Sequence, residues 1–200
     1  MLATMRRLIL ASTSPYRREL MNRLGLAFEA IAPDGVDEES LNVPPRELVQ
    51  TLARMKAESI AATHPDAVII GSDQVGCLDG HVLTKPGTVE AAESQLAGMA
   101  GHTHELLTGV CVLDTKTGSI QEHIDIHRLT MRALSPEEIR KYVATEYPLD
   151  CAGSYKIEGL GISLFEQIQG HDFTAITGLP LMAVCQMLAQ SGIHPLRGTK

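Results

Sequence analysis

The chain has 200 residues, of which 44% are hydrophobic and 20% charged, and its formal net charge is −7. This length supports one domain, or two lobes, with a core that needs no staple; Trp is absent and aromatics are 4%, so that core must be aliphatic. The acidic balance argues against broad, sequence-independent nucleic-acid binding, which requires a basic face, but leaves room for a small basic pocket that takes one phosphorylated molecule.

Leu8–Ala11 reads as a short buried strand. Ser12-Thr13-Ser14-Pro15 then opens a helix, with Ser14 as N-cap and Pro15 at the first helical position, ending near Gly25. Residues 32–45 hold three prolines and an acidic cluster (Asp34, Asp37, Glu38, Glu39) and read as a loop. Pro45 begins a second helix, running to about Ala62, and Val68–Gly71 is a β-branched run expected to be a central strand. Asp79-Gly80, between Cys77-Leu78 and Val82-Leu83, is a two-residue hairpin signal. Residues 88–99 read as a helix ending at Gly101, and Leu106–Leu113 and Ile120–Leu129 as strands. Ser135-Pro136-Glu137-Glu138 is a capping box whose helix stops at Pro148. Residues 149–161 form a Gly-rich loop, Ile162–Ile168 a strand and Leu179–Ala189 a final helix. Mixed helices and strands without a repeat give an α/β fold. No window approaches the roughly 20 apolar residues of a membrane span, so no membrane partner is expected. The apolar run of the N-terminal segment is too short for a signal peptide, and Cys77, Cys111, Cys151 and Cys185 form no CxxC; a reduced cytoplasmic protein is expected.

The first helix begins Ser14-Pro15-Tyr16-Arg17-Arg18 and so breaks a local rule. Positive side chains in a first turn oppose the helix dipole, each by roughly 0.3–1 kcal/mol. A bound anion would reverse the sign, with backbone N–H groups, the hydroxyls of Ser12 and Ser14, and Arg17 converging on one oxyanion. Two solvated surface arginines are the other reading. Neither Walker A nor GxGxxG is present.

Asp73 follows Val68–Ser72 at the expected C-terminal end of a central strand, where open α/β sheets bind ligands. There it suits holding a metal or activating water, or simply starting a turn. The hairpin register, continued outward, sets Gln74 opposite Lys85 and puts Asp73 and Lys85 at one open end. Lys56 lies between Leu52 and Ile60, at the edge of an apolar helical stripe, where a lysine ordinarily snorkels. Cations that neutralise phosphate oxygens, with acids that hold a divalent metal, suit triphosphate chemistry, which needs positioning more than a nucleophilic side chain.

Leu8-Ile9-Leu10-Ala11-Ser12-Thr13-Ser14-Pro15-Tyr16-Arg17-Arg18 resembles the opening motif of the Maf family of nucleotide pyrophosphatases. The resemblance continues through Val36-Asp37-Glu38, Lys56-Ala57, Gly71-Ser72-Asp73-Gln74, Lys85-Pro86, Cys151-Ala152-Gly153-Ser154 and Gly178-Leu179-Pro180, in the family's order along nearly the whole chain. It implies a single Maf-like domain over residues 1–200, with a Maf/ITPase-like α/β fold: a mixed twisted sheet, flanking helices and two lobes around a central cleft. It also implies a cytoplasmic homodimer that cleaves a nucleoside triphosphate between its α- and β-phosphates with a divalent cation, Mg²⁺ or Mn²⁺. Ser12, Ser14 and Arg17 resemble the phosphate-binding motif, and Glu38, Lys56, Asp73 and Lys85 the catalytic polar set. Asp73 resembles the general base, and with Glu38 it also suits a metal-ligand role. Tyr16, Gln74 and Glu158 resemble the specificity positions of the YceF-type branch, associated with 7-methyl-GTP, rather than the Arg, Thr and Gln of the dTTP/UTP branch. N7-methylation makes the purine cationic, so Tyr16 can stack on it and Glu158 can compensate its charge. The family is further linked to septum formation and division arrest, so a nucleotide-sensing regulator without turnover is a second reading.

Of the eight histidines, His102 with His104 and His123 with His127 invite a zinc reading, but no HExxH or Cys/His cluster supports it. No Gly-x-Ser-x-Gly elbow supports Ser12 or Ser14 as a covalent nucleophile. Asp172 precedes the Gly178-Leu179-Pro180 motif and reads as a turn cap rather than a support of the pocket, and Met182 and Met187 are expected to face the core.

Overall fold

A computed structural model of the protein describes residues 6–36, 41 and 43–199. In chain order the elements are β1 (Arg7–Ala11), α1 (Pro15–Asn22), β2 (Glu29–Ile31), α2 (Pro45–Glu58), β3 (Ala67–Leu78), β4 (His81–Leu83), α3 (Val89–Met99), β5 (Thr103–Asp114), β6 (Ser119–Met131), α4 (Pro136–Glu146), β7 (Phe165–Gln169), α5 (Leu181–Gln190), β8 (Ile193–His194) and β9 (Gly198–Thr199). Among the described residues the main sheet has the order β2-β1-β3-β5-β6-β7, with β4 also paired to β3. It is mixed: β1 runs parallel to β2 and β3, whereas β3–β4 and β6–β7 are antiparallel. The chain divides into two compact units, one of Met1–Gln74, Thr108–Asp125 and Asp172–Lys200, the other of Val75–Leu107 and Ile126–His171.

In the first unit the sheet is buried on both faces, and the period-two alternation of strands sorts its side chains. Leu8, Leu10, Val68, Ile70, Val110 and Val112 pack with Leu20 and Met21 of α1 and with Leu181, Val184 and Leu188 of α5. Ile9, Ala11, Ala67, Ile69, Cys111 and Leu113 pack with Ala53 and Ala57 of α2 and with Ile60 beyond its end. Each large aliphatic side chain fully buried here contributes about 1.5–3 kcal/mol. Burial also pushes the Cys111 thiol up to about 12.

At Gly71 and Gly109 the backbone of α2 comes directly against the sheet. A Cβ on Gly71 would stand 2.1 Å from the Ala53 carbonyl oxygen and 2.7 Å from the Ala57 nitrogen, and one on Gly109 would stand 2.6 Å from the Val49 oxygen. Val49, Ala53 and Ala57 recur every fourth residue, so one small-residue stripe faces two glycines.

The start of β1 is tied to the turn between β5 and β6. Arg6 Nη1 and Nη2 donate to Asp114 Oδ2 and Oδ1 at 2.7 and 2.6 Å. Asp114 Oδ1 also accepts the N–H groups of Lys116 and Thr117.

In the second unit Leu78 pairs with His81 around Asp79 (φ 50°) and Gly80 (φ 82°), the positive-φ pair of a type I′ hairpin. Helices α3 and α4 pack together; the capping box of Ser135 and Glu138 starts α4. His104, Tyr155 and Phe165 form an aromatic cluster in which burial lowers His104 to about 4.

Several sequence expectations are corrected. Residues 160–164 are a 3-10 turn rather than the start of a strand, and β7 begins only at Phe165. The short strands β2, β8 and β9 were not anticipated. The hairpin ladder stops at Gly76↔Leu83, so Gln74 and Lys85 are not ladder partners. Met182 is 43% exposed, whereas Met187 is buried as expected. His102 precedes β5 and is exposed while His104 is buried, so the two do not share a strand face. Asp172 caps as expected, accepting from Thr174 N and Met182 N.

Gly71→Ala should lower the unfolding free energy by about 3 kcal/mol, the upper end of overpacking costs; urea denaturation with an unshifted midpoint would contradict the close contact. Hydrogen bonds from the Arg6 guanidinium are the main cause holding Asp114 at about 2, below its ordinary 3.8. Because the folded value is the lower one, this stabilisation is complete above roughly pH 4 and is lost as pH falls through the folded value. Asp114→Asn should therefore flatten the fall of Tm between about pH 4 and pH 2; thermal melts with parallel slopes for both proteins would rule this out.

Candidate active site

The C-terminal end of β1 lies beside the middle of β3, because the parallel register pairs Ala11 with Gly71 while β3 continues to Leu78; contrary to expectation, Asp73 is not at a strand end. The turn that follows Ala11 therefore opens beside Ser72–Gln74 of β3, at the C-terminal end of β1, where α/β folds gather ligands. After β1 the chain turns sharply into α1. Ser14 N donates to Ser12 Oγ at 3.1 Å, and Arg17 N donates to Ser14 Oγ at 3.4 Å, so Ser14 is the N-cap. Each serine oxygen accepts a backbone N–H here and keeps an O–H able to donate to an anion. No acidic residue occupies the first turn of α1. Tyr16 is 44% exposed on that turn.

Strand alternation separates the three polar residues Ser72, Asp73 and Gln74 in the middle of β3. Asp73 continues the Ile69–Gly71 face and meets α2: Lys56 Nζ donates to Asp73 Oδ1 at 2.6 Å, and the two side chains are only 10% and 9% exposed. Lys56 does not snorkel, contrary to expectation; the small residues Ala53 and Ala57 seat α2 so closely that its ammonium reaches Asp73 on β3 instead. Ser72 and Gln74 leave from the other face. Ser72 Oγ lies 2.9 Å from the Gly178 carbonyl and 2.8 Å from that of Gly109. Gln74 Nε2 donates to Ala175 O at 2.8 Å, Ile176 O at 3.0 Å and Thr108 Oγ1 at 2.9 Å.

The segment at 173–178 is thus held from several sides. Arg17 Nε donates to the same Gly178 carbonyl at 2.9 Å. Gly178 has φ +105°, and a Cβ there would stand 3.3 Å from Arg17 Nε, so glycine is needed both for the backbone and for the guanidinium's seat. Ser72, Thr108 and Gly178 are site-building residues that residue-level reading missed. Ser72 and Gly178 sit inside motifs, but nothing in their spacing says that they touch.

The first unit holds Ser12, Ser14, Tyr16, Arg17, Lys56, Asp73 and Gln74, with Lys56 and Asp73 on the α2 face of β3 and Arg17 and Gln74 on the segment at 173–178. Lys85 and Glu158 belong to the second unit, where both are exposed: Lys85 beyond the end of β4, Glu158 in a tight turn after α4. Glu38 lies outside the described residues. Among the described residues no three of His, Cys, Asp and Glu converge as a metal cage, and no helix is long and apolar enough to cross a membrane.

A mixed sheet with flanking helices, and a serine- and arginine-bearing helix start at the end of β1, defines an α/β protein. The fold resembles that of the Ham1 protein of Staphylococcus aureus (TM-score 0.54, 14% identity, 93% of this chain and 100% of that chain). It also resembles a HAM1 protein from Coxiella burnetii (TM-score 0.51, 11% identity, the same coverage). Residues 7–191 match the family model described as Maf-like protein, and the chain belongs to that family. It is 49% identical over 187 residues, 93% of this chain and 97% of the relative, to a protein of Pseudomonas putida named 7-methyl-GTP pyrophosphatase.

Removing Lys56 takes from the buried Asp73 carboxylate the cation it is paired with. Lys56→Met should lower the unfolding free energy by about 3 kcal/mol, and adding Asp73→Asn should restore part of it. Strictly additive losses in denaturant titrations would show that the two side chains do not interact.

Proposed function

We propose that this chain hydrolyses 7-methyl-GTP to 7-methyl-GMP and diphosphate, a house-cleaning reaction that keeps a modified nucleotide out of nucleic acid. The observation that carries the reading is the pairing of Asp73 with Lys56 on β3, next to the strand from which the Ser12–Arg17 turn leaves, in a chain 49% identical to a relative of that name. Ser12, Ser14, Arg17 and the start of α1 bind phosphate oxygens. Water attacks the α-phosphorus, the bridging oxygen leaves with diphosphate, and the proton passes to the Asp73 carboxylate or to solvent. Lys56 fixes one carboxylate oxygen and leaves the other for the reaction. Lys85 and Glu38 complete the polar set through the family resemblance.

The donor set fits a divalent cation carried by the substrate. Mg²⁺ is usually bound through one or two carboxylates together with phosphate oxygens and water, not by an all-protein cage. Asp73 would supply such a carboxylate, with Glu38 as its expected companion. The cation would neutralise charge developing on the phosphates.

Tyr16, with Glu158, is assigned to the methylated base. An exposed aromatic ring attracts a cationic purine, and a carboxylate balances its charge. Gln74 acts on this site through the 175–176 carbonyls that its amide holds. The same resemblance supports a single Maf-like domain working as a cytoplasmic homodimer.

With Mg²⁺ or Mn²⁺, pyrophosphate release should be fastest from 7-methyl-GTP in a panel that includes GTP, dTTP and UTP. No turnover of any triphosphate would sink the proposal; tight binding without hydrolysis would favour a nucleotide-sensing regulator. Asp73→Asn should lower kcat by about a hundredfold or more. If Asp73 is a metal ligand, the cation concentration for half-maximal rate rises in a conservative Asp73→Glu variant; if it is the base, that concentration holds while kcat falls.

A further inference from the structure

The turn at 156–161 carries Glu158, and in the second unit it is held by one helix end. The Lys156 carbonyl accepts from both Gly159 N and Gly161 N, at 3.2 and 3.1 Å, closing the turn on itself. A Cβ on Gly161 would stand 2.2 Å from that same carbonyl oxygen. Three hydrogen bonds then fasten this turn to the C-terminal half of α4. The Tyr142 hydroxyl accepts from Lys156 N at 2.9 Å, and Tyr142 is 3% exposed. The Glu146 carbonyl accepts from Lys156 Nζ at 3.1 Å. Glu146 Oε1 accepts from Leu160 N at 2.7 Å.

The fastenings fall on both sides of Glu158, at Lys156 and at Leu160, while Glu158 itself stays exposed. A long acidic side chain on a free loop would sample many positions, and ordering it on binding would cost affinity. Held at both ends, the backbone under Glu158 is already placed. The lysine ammonium also sits on a C-terminal carbonyl of α4, where the helix dipole favours positive charge. Glu146 belongs to neither the catalytic nor the base-contacting set.

We propose that Tyr142, Glu146 and Lys156 are positioning residues that set base discrimination by fixing the backbone on either side of Glu158. The inference rests on the assignment of Glu158 to the base in the proposed function. It predicts that loosening either fastening lowers the preference between nucleotides rather than the reaction in general.

The test is the ratio of kcat/KM for 7-methyl-GTP to that for GTP, measured on the full chain with Mg²⁺. Glu146→Ala and Tyr142→Phe should each lower the ratio by about tenfold, the factor expected for one lost anchoring hydrogen bond. Glu146→Gln keeps a carbonyl oxygen for Leu160 N–H and should keep the wild-type ratio. Equal losses for both nucleotides, or an unchanged ratio in Glu146→Ala and Tyr142→Phe, would overturn the inference while leaving the substrate assignment standing. If the wild type prefers another triphosphate, the substrate assignment falls, and the same variants are judged on the ratio of that triphosphate to its next best. Amide exchange reads the fastening without turnover: Leu160 N–H should lose protection in Glu146→Ala and Lys156 N–H in Tyr142→Phe. Unchanged protection would also overturn it.

Discussion

The arrangement of the first unit depends on how closely α2 can approach the sheet. Gly71 and Gly109 offer no Cβ, and the Val49-Ala53-Ala57 stripe offers little side chain, so helix backbone rests on strand backbone. That contact sets the height of Lys56 above β3. Two residues beyond Gly71 on the same face stands Asp73, and the ammonium meets it at 2.6 Å with both side chains nearly out of solvent. A helix held one side-chain layer further away would leave the lysine to reach for water, as its sequence neighbours imply.

Alternation along β3 does the rest of the sorting. Odd positions from Ile69 to Asp73 face α2; Ser72 and Gln74 face the segment at 173–178. One stretch of β3 thus supplies a charged group to one side and two braces to the other. The brace side matters because Arg17, whose charge is unfavourable at a helix start, shares the Gly178 carbonyl with Ser72. Arg17 is therefore held by a backbone acceptor next to the helix start that its charge opposes.

Features written in short stretches of chain were legible in the sequence. The Ser14-Pro15 cap, the Asp79-Gly80 hairpin, the Ser135–Glu138 capping box and the Asp172 cap all rest on contacts within a few residues, or begin with one, and all are present. Misread features depend on partners remote in sequence. The depth of Lys56 is decided by Gly71, the exposure of Met182 by what covers one side of α5, and β2 exists because β1 offers it an edge. The Gly71-Ser72-Asp73-Gln74 motif could be recognised as a unit, yet its division between two faces follows only once β3 is known to continue through it as a regular strand.

The burial of Cys111 has a chemical consequence. Thiol oxidation proceeds through the thiolate, and a thiol raised to about 12 has roughly one molecule in a hundred thousand in that form at neutral pH. Burial also holds Cys151 up, at about 11, and raises Cys185. Cys111 sits fully enclosed in the layer between the sheet and α2. An oxidant that damages nucleotides would therefore meet no ready thiolate in the layer that seats Lys56 against Asp73.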